Sequence, residues 1–489
     1  MLLIRHIVWC ALIPLLVGCA KTGEETVTPS YLDQDASLIA ACRYIDGGGS
    51  AVTGGDGGAV LRVSRLDDVL DPNTGLPAAG TLRYAVMQSG ARRVIFSVSG
   101  TIHLTSELLI KNGHLTIDGQ SAPGDGICLA DYPMVIKASN VIVRFLRVRL
   151  GDSSNTESDA VSVNDAKGVV LDHLSCSWSV DECVSCYGNT DFTMQYCIVS
   201  ESLKNSVHGK GNHGYGGIWG GTNASFHHNL LAHHDSRNPR FGHDYVNAQC
   251  VGPIDFVNNV VYNWGGNSAY GGEGSSEGGG GRHINFVNNY FKPGPATRSS
   301  VRARLVDPWT QCSNCTHACG GSVVPPKIYL TGNVMVDSWM VTENNWIGST
   351  QTKEVAGTDT RWTDGLTSLR NEESADDAYK TVLAKAGCSL HRDALDERIV
   401  NEVHTGTSTC VGSNGSTGGL IDTQSDAGGW PELQSKARPV DSDYDGIPDE
   451  WEKKHHLDPE NPDDAHMVTL VSGHTNMEVY MCDIVAHLY

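Results

Sequence analysis

Six short segments in the middle of the chain share one pattern, and it limits the possible folds sharply. They are Leu171-Asp172-His173-Leu174, Met194-Gln195-Tyr196-Cys197, Phe226-His227-His228-Asn229, Phe256-Val257-Asn258-Asn259, Phe286-Val287-Asn288-Asn289 and Leu330-Thr331-Gly332-Asn333. Each begins with an apolar residue inside a strand-like run. From Met194 through Phe226 and Phe256 to Phe286 they recur every thirty residues or so, which is roughly the period of a stacked repeat. One such unit cannot bury its apolar face alone, whereas stacked neighbours can. Alternating apolar residues and many β-branched ones argue against helical repeats. The pattern extends upstream to Leu115-Thr116-Ile117 and Val141-Ile142-Val143-Arg144-Phe145. The expected fold is all-β, a parallel β-helix (solenoid) whose lateral loops carry function. The glycine-rich insertions Gly209–Gly221 and Gly265–Gly281 read as such loops. Asn229, Asn259, Asn289 and Asn333 share one register, which predicts a stacked amide ladder at a turn.

The flanks read differently. In residues 1–19, Arg5 precedes the apolar run Ile7–Val17, too short to span a bilayer, and Leu16-Val17-Gly18-Cys19 follows. This resembles a bacterial lipoprotein signal with Cys19 as the lipidated terminus; a plain secretory signal is the alternative. The chain is expected to be exported, either lipid-anchored at the outer membrane or cell surface or secreted, and to meet a membrane only through that anchor. Residues 20–40 read as a linker, 41–345 as the β-helix, 346–412 as a partly helical part packing on it, and 413–435 as a Gly/Ser-rich connector. In 436–489 the run Asp441-x-Asp443-x-Asp445-Gly446, with Asp449 and Glu452, has the spacing of a Ca2+ loop. Pro439 discourages an entering helix, and an exiting one is expected from Asp449, so the loop reads as a structural clip. Of 15 cysteines, those other than Cys10 and Cys19 are odd in number, and an oxidising compartment would pair some of them. Cys312, Cys315 and Cys319 share a loop with His317, where disulfides, buried thiols or zinc are all open.

A net charge of −21 argues against nucleic acid or an acidic membrane surface as partner. It would repel an anionic substrate too, unless bound metal or local cations invert the field at the site. Arg237 and Arg240 flank Pro239 on the turn after Phe226–Leu231, and two guanidiniums suit planar carboxylates, hence a polyanionic sugar. Asp159, Asp181 and Glu182 fall at turns of neighbouring units, which stacking would bring within reach of one another. Carboxylates gathered outside a cell suit a hard cation such as Ca2+.

Together with Gly100-Thr101-Ile102, Leu115-Thr116-Ile117-Asp118-Gly119-Gln120, Arg147-x-Arg149-x-Gly151-Asp152, Ser158-Asp159-Ala160 and Leu171-Asp172-His173, these residues make the stretch 45 to 345 resemble the pectate lyases of polysaccharide lyase family one. The resemblance implies a right-handed parallel β-helix with a lateral cleft. It also implies calcium-dependent β-elimination of de-esterified polygalacturonate, an acidic plant cell-wall polysaccharide, to unsaturated oligogalacturonides. It implies Asp159 as a Ca2+ ligand, Arg237 as base and Arg240 as a substrate-binding arginine. The Asp181–Glu182 region corresponds to a strand where the family places two acids four apart; here they are adjacent, and Cys186 follows. Lys210, with Lys204 beside it, corresponds to a substrate-binding lysine, and Asp172-His173 to a structural pair. A monomer is expected.

Residues alone would assign Arg237 to charge stabilisation, since a guanidinium normally stays protonated. Two other readings stay open: a polygalacturonase-like hydrolase using paired carboxylates, and a pectic-glycan-binding β-helix without catalysis. His208, His213, His227, His228, His233, His234 and His243 raise the idea of a zinc hydrolase. Strand alternation argues against it, because His227 and His228 would face opposite sides without a bend. Trp178, Trp219 and Tyr215 are candidates for contact with sugars.

Overall fold

The apolar anchors of the repeat lie side by side. Ile117 pairs with Val143, Val143 with Leu171, Leu171 with Met194, and Met194 with Phe226; Phe256, Phe286 and Leu330 continue the row. Side chains alternate along a strand, so this register sends one apolar row inward along the whole stack. The computed structural model describes residues 35–242, 252–275, 281–309, 323–350 and 360–489. The leader with Cys19, His243, and the loop of Cys312, Cys315, His317 and Cys319 lie outside the described residues.

The chain is a right-handed parallel β-helix of three parallel sheets with ten, nine and eight strands. One coil runs Val161–Asn164, Lys167–Asp172 and Ser175–Ser177; the next runs Val184–Tyr187, Thr190–Gln195 and Ile198–Ser200. Gly274–Ser275 and Val323–Val324 form a small antiparallel pair outside the stack. Leu82, Ala85 and Val86 of the helix Leu82–Met87 join the main core at the end where the stack begins, and Val341 of the helix Trp339–Glu343 joins it at the other.

After six strands of the ten-stranded sheet the corner uses two adjacent positions. The first is left-handed: Phe145, His173, Tyr196, His228, Asn258 and Asn288 have φ between 49° and 56°. A non-glycine residue there costs on the order of 1–2 kcal/mol. Ring stacking offsets part of this, with centroids at 4.6 Å for Phe145–His173, 5.0 Å for His173–Tyr196 and 4.9 Å for Tyr196–His228. From Asn229 onward the second position carries the amide ladder. Asn259 Oδ1 accepts from the backbone N–H and the side chain of Asn229, Asn289 does the same for Asn259, and Asn333 for Asn289. Asn345 extends the series by one step.

The helices Ala375–Lys385 and Ala394–Thr405 pack on the stack through Val382, Leu395, Ile399 and Val403. Ser374 caps the first and Asp393 the second, which ends at Gly406 with φ 74°. Asp393 and Asp396 also neutralise the fully buried Arg147 and Arg149, at 2.5–3.0 Å. The Arg-x-Arg motif thus ties the 346–412 part to the coils. The expected linker 20–40 ends in structure, because Ala36–Ala41 is a helix capped by Asp35. That helix and Asn476–Asp483 share a separate small core with Ile95, Ile447 and Trp451. The nine described cysteines are all free and buried, so the expected pairing is not found among the described residues. Several pack as small apolar side chains inside the coils. Among the described residues no helix is long and apolar enough to cross a membrane.

Candidate active site

Every connection from the nine-stranded to the eight-stranded sheet emerges on the same side of the stack. Asp159 lies just before Val161–Asn164, Asp181 and Glu182 before Val184–Tyr187, and Arg237 before Arg240–Phe241. The backbone holds these loops in register through parallel bridges from Glu182 to Tyr215 and from Tyr215 to Ser236. Carboxylate oxygens of Asp159, Asp181 and Glu182 lie within 4.8 Å of one another. Asp159 accepts from the Ser162 hydroxyl at 2.6 Å and from the Glu182 amide at 3.1 Å, so one coil orients the next. Burial, reinforced by the Asp181 charge, pushes the Asp159 carboxyl up to about 7.

Arg237 closes the other side. It sits at φ 59°, its guanidinium contacts Glu182, and its Cζ lies 4.4 Å from the centre of the Tyr215 ring. Three crowded oxygen donors, one with its protonation driven upward, fit a hard divalent cation, which would replace the missing positive charge.

The remaining expected residues fall differently. Lys210 is exposed on the loop beside the carboxylates, whereas Lys204 is paired with Asp235 at 3.0 Å. Arg240 is buried against Glu273 at 2.6 Å, with Trp309 at 5.0 Å. Cys186 points into the core and supplies no ligand. Trp178 and Trp219 are also fully buried in the core, so neither meets a sugar; Tyr215 is half-buried at the site. Asp172 and His173 form a buried structural pair with Arg144, Gln195 and Tyr489. In the C-terminal loop, Asp441, Asp443, Asp445 and Glu452 gather, whereas Asp449 turns to Ser442.

Two histidines of the zinc reading, His208 and His213, reach the site, where their ligand atoms and one from Asp181 lie within 4.8 Å of one another. The rings of His208 and His213 stack at 3.5 Å, and their Nε2 atoms lie 3.8 Å and 3.3 Å from Asp181. Strand alternation could not reveal this, because both belong to a loop; their position at the start of and inside the glycine-rich insertion was the available signal. For His227 and His228 the bend that would bring them to one side is present. His228 occupies the left-handed corner, and this bend brings the two Nδ1 atoms to 2.9 Å. Among the described residues neither belongs to a potential metal cluster.

Fold and site define the class: a lateral-cleft parallel β-helix with a carboxylate cluster facing an arginine. A probable pectate lyase C of Aspergillus flavus is 32% identical over 486 residues, covering 98% of this chain and 99% of that protein. Its counterpart from Aspergillus oryzae is also 32% identical over 486 residues, with the same coverage. The chain belongs to the pectate lyases of polysaccharide lyase family one, and it is an enzyme, a polysaccharide lyase. A probable pectate lyase of Solanum lycopersicum is 31% identical over 169 residues, 30% of this chain and 39% of that protein. Among solved structures, the major cedar-pollen allergen overlays with a TM-score of 0.46 at 19% identity, over 69% of this chain and 90% of that one. A Bacillus pectate lyase in complex with trigalacturonate gives 0.44 at 16%, over 70% and 98%. No family model matches the chain.

Proposed function

We propose that this enzyme cleaves de-esterified polygalacturonate by calcium-dependent β-elimination and releases unsaturated oligogalacturonides. The observation that carries the reading is the gathering of Asp159, Asp181 and Glu182 beside Arg237 on stacked loops. Asp159, Asp181 and Glu182 would hold the Ca2+, which when bound supplies positive charge to the uronate carboxylate and to the negative charge that develops on it.

The chain's own residues do the rest. Arg237 faces the carbon that loses its proton and, in its neutral form, takes the C5 proton as base, a role that family membership supports and that alkaline conditions favour. The C5–H electron pair forms the C4–C5 double bond, the C4–O4 bond breaks with its electrons on O4, and the departing oxygen takes a proton from solvent water. Tyr215 holds the guanidinium plane in place. Lys210, on the exposed side of the same cleft, binds a neighbouring uronate. Arg240, locked by Glu273, supports the Arg237 turn and the substrate path. A hydrolase would need two carboxylates working as acid and base across the bond; here the three acids crowd within 4.8 Å on one side, facing a guanidinium. The bland local charge problem is met by cations shared between acidic protein and acidic polymer. The enzyme is exported, lipid-anchored through Cys19 or secreted, and acts as a monomer.

The test is incubation with polygalacturonate with and without chelator, following the ultraviolet absorbance of the new double bond. Saturated products would point to the hydrolase, and binding without any product under every divalent cation to the glycan-binding reading.

A further inference from the structure

The C-terminal segment carries a second cluster, remote from the cleft, whose oxygens are arranged in an unusual way. Four aspartates each have one oxygen tied by the protein. Asp441 Oδ2 accepts from Arg62 at 2.6 Å, and Asp443 Oδ1 from the Asp445 amide at 3.2 Å. Asp445 Oδ1 accepts from the Ile447 amide at 2.7 Å, and Asp464 Oδ2 from the Asp458 amide at 2.9 Å. The other oxygen of each, Asp441 Oδ1, Asp443 Oδ2, Asp445 Oδ2 and Asp464 Oδ1, is buried and accepts no hydrogen bond among the described residues. Glu452 is 0% exposed, and both of its oxygens are likewise without a partner.

Buried carboxylates without partners are costly, and a fully buried glutamate with two free oxygens more so. The ligand atoms of Asp441, Asp443 and Asp445, and those of Asp445, Glu452 and Asp464, lie within 4.8 Å of one another in each trio, and Asp445 belongs to both. Four single oxygens and a two-oxygen glutamate match what Ca2+ takes, whereas Mg2+ keeps its waters and prefers few carboxylates.

Two details depart from the loop read in the sequence. Asp449, at the loop position expected to ligate, has both oxygens committed to Ser442, at 2.8 Å and 2.9 Å. Asp464 comes instead from beyond the helix Asp449–Lys454, in the turn Asp464–His466. Its carbonyl accepts from Asn476, the first residue of the helix Asn476–Asp483.

The loop is also pinned to the solenoid. Arg62 belongs to Ala59–Val63, the edge strand of the ten-stranded sheet. Gly446 has φ 111°, a conformation that favours glycine, and it packs against the side-chain ends of Ile95 and Met477. Ile447 is buried in one small core with Ile95, Leu470 and Met477.

We propose that Asp441, Asp443, Asp445, Glu452 and Asp464 bind one Ca2+ ion, which clasps the C-terminal segment over the outer face of the first coil. Asp464 joins two chain segments through that ion, and Asp449 only shapes the loop. The site acts on stability and leaves the elimination chemistry to the cleft, so its test is independent of the proposed activity.

The experiment is thermal unfolding of the full chain in Ca2+ and in chelator, for wild type and for Asp464→Asn, Glu452→Gln, Asp449→Asn and the cleft variant Asp159→Asn. Calcium raises the wild-type midpoint by roughly 5 °C or more. Asp449→Asn and Asp159→Asn keep most of that rise. Asp464→Asn and Glu452→Gln lose most of it, yet in chelator melt no lower than wild type, because an unneutralised carboxylate has been removed. The proposal is overturned if Asp464→Asn retains the full rise, if Asp159→Asn alone abolishes it, or if Asp464→Asn melts lower by the same amount in both buffers.

Discussion

Arg237 combines a left-handed backbone, a carboxylate contact and a tyrosine ring beneath its guanidinium, three constraints on one side chain. Arg237→Lys keeps the charge but loses the planar fork and the stacking. It should therefore lower the elimination rate on polygalacturonate by roughly 10²–10⁴-fold while binding of the polymer stays within a few-fold of wild type. Equal losses of rate and binding would make Arg237 a binding residue. Around it, Asp159, Asp181 and Glu182 were legible because acids at the turns of a recognised repeat must stack on one side. His208 and His213 were not, since they sit in an insertion whose path no period describes. Trp178 and Trp219 misled for a related reason: an aromatic near a site reads as a sugar platform until the register shows that it points inward.

At the scale of single elements, the corner decides the coil. The amide ladder was visible from four asparagines in one register, because each must place its side chain over the next. The aromatic stack one residue earlier was hidden, since Phe145, His173, Tyr196 and His228 share a backbone conformation rather than a residue type. Asn259→Ala removes the acceptor for two Asn229 donors and the donor that reaches the Phe226 carbonyl. It should lower stability by about 2–3 kcal/mol in urea unfolding, the cost of leaving such buried groups unsatisfied; a loss under about 0.5 kcal/mol, within the range of ordinary surface substitutions, would show the ladder to be incidental.

A second prediction concerns the helix Asn476–Asp483. Burial, then the Glu478 charge, pushes the Asp56 carboxyl up to about 6, from an ordinary 3.8. The folded state therefore binds a proton more tightly than the unfolded one, and this contribution is present in full below about pH 3.8 and is lost as pH rises through about 6. Asp56→Asn should match wild type near pH 4 and become the more stable of the two by pH 7. A difference in urea midpoint that stays constant across this range would contradict the assignment.

For the whole molecule, the stack solves two problems with one geometry. Its interior row of apolar anchors supplies a core that no single coil could make, and its exterior aligns loops from successive coils into one cleft. Much of this architecture followed from periodicity, but the ends did not. The helix Ala36–Ala41 and the C-terminal segment fold against each other and against the first coil, a contact between chain ends that no local pattern encodes. An acidic chain acting on an acidic polymer also makes ionic strength informative. With cations bridging the two, added monovalent salt should change the apparent affinity only a few-fold, while chelation should abolish it; a steep loss with monovalent salt alone would mean that Lys210 and the arginines carry binding instead.

The most direct measurement is the rise of double-bond absorbance on polygalacturonate, for wild type and Asp159→Asn, across a Ca2+ titration that begins in chelator. No product is expected without the cation, with saturable product formation in wild type and at least about a hundredfold loss in the variant. Undiminished product in chelator, or a variant as active as wild type, would show that the carboxylates on the stacked loops are not where the reaction takes place.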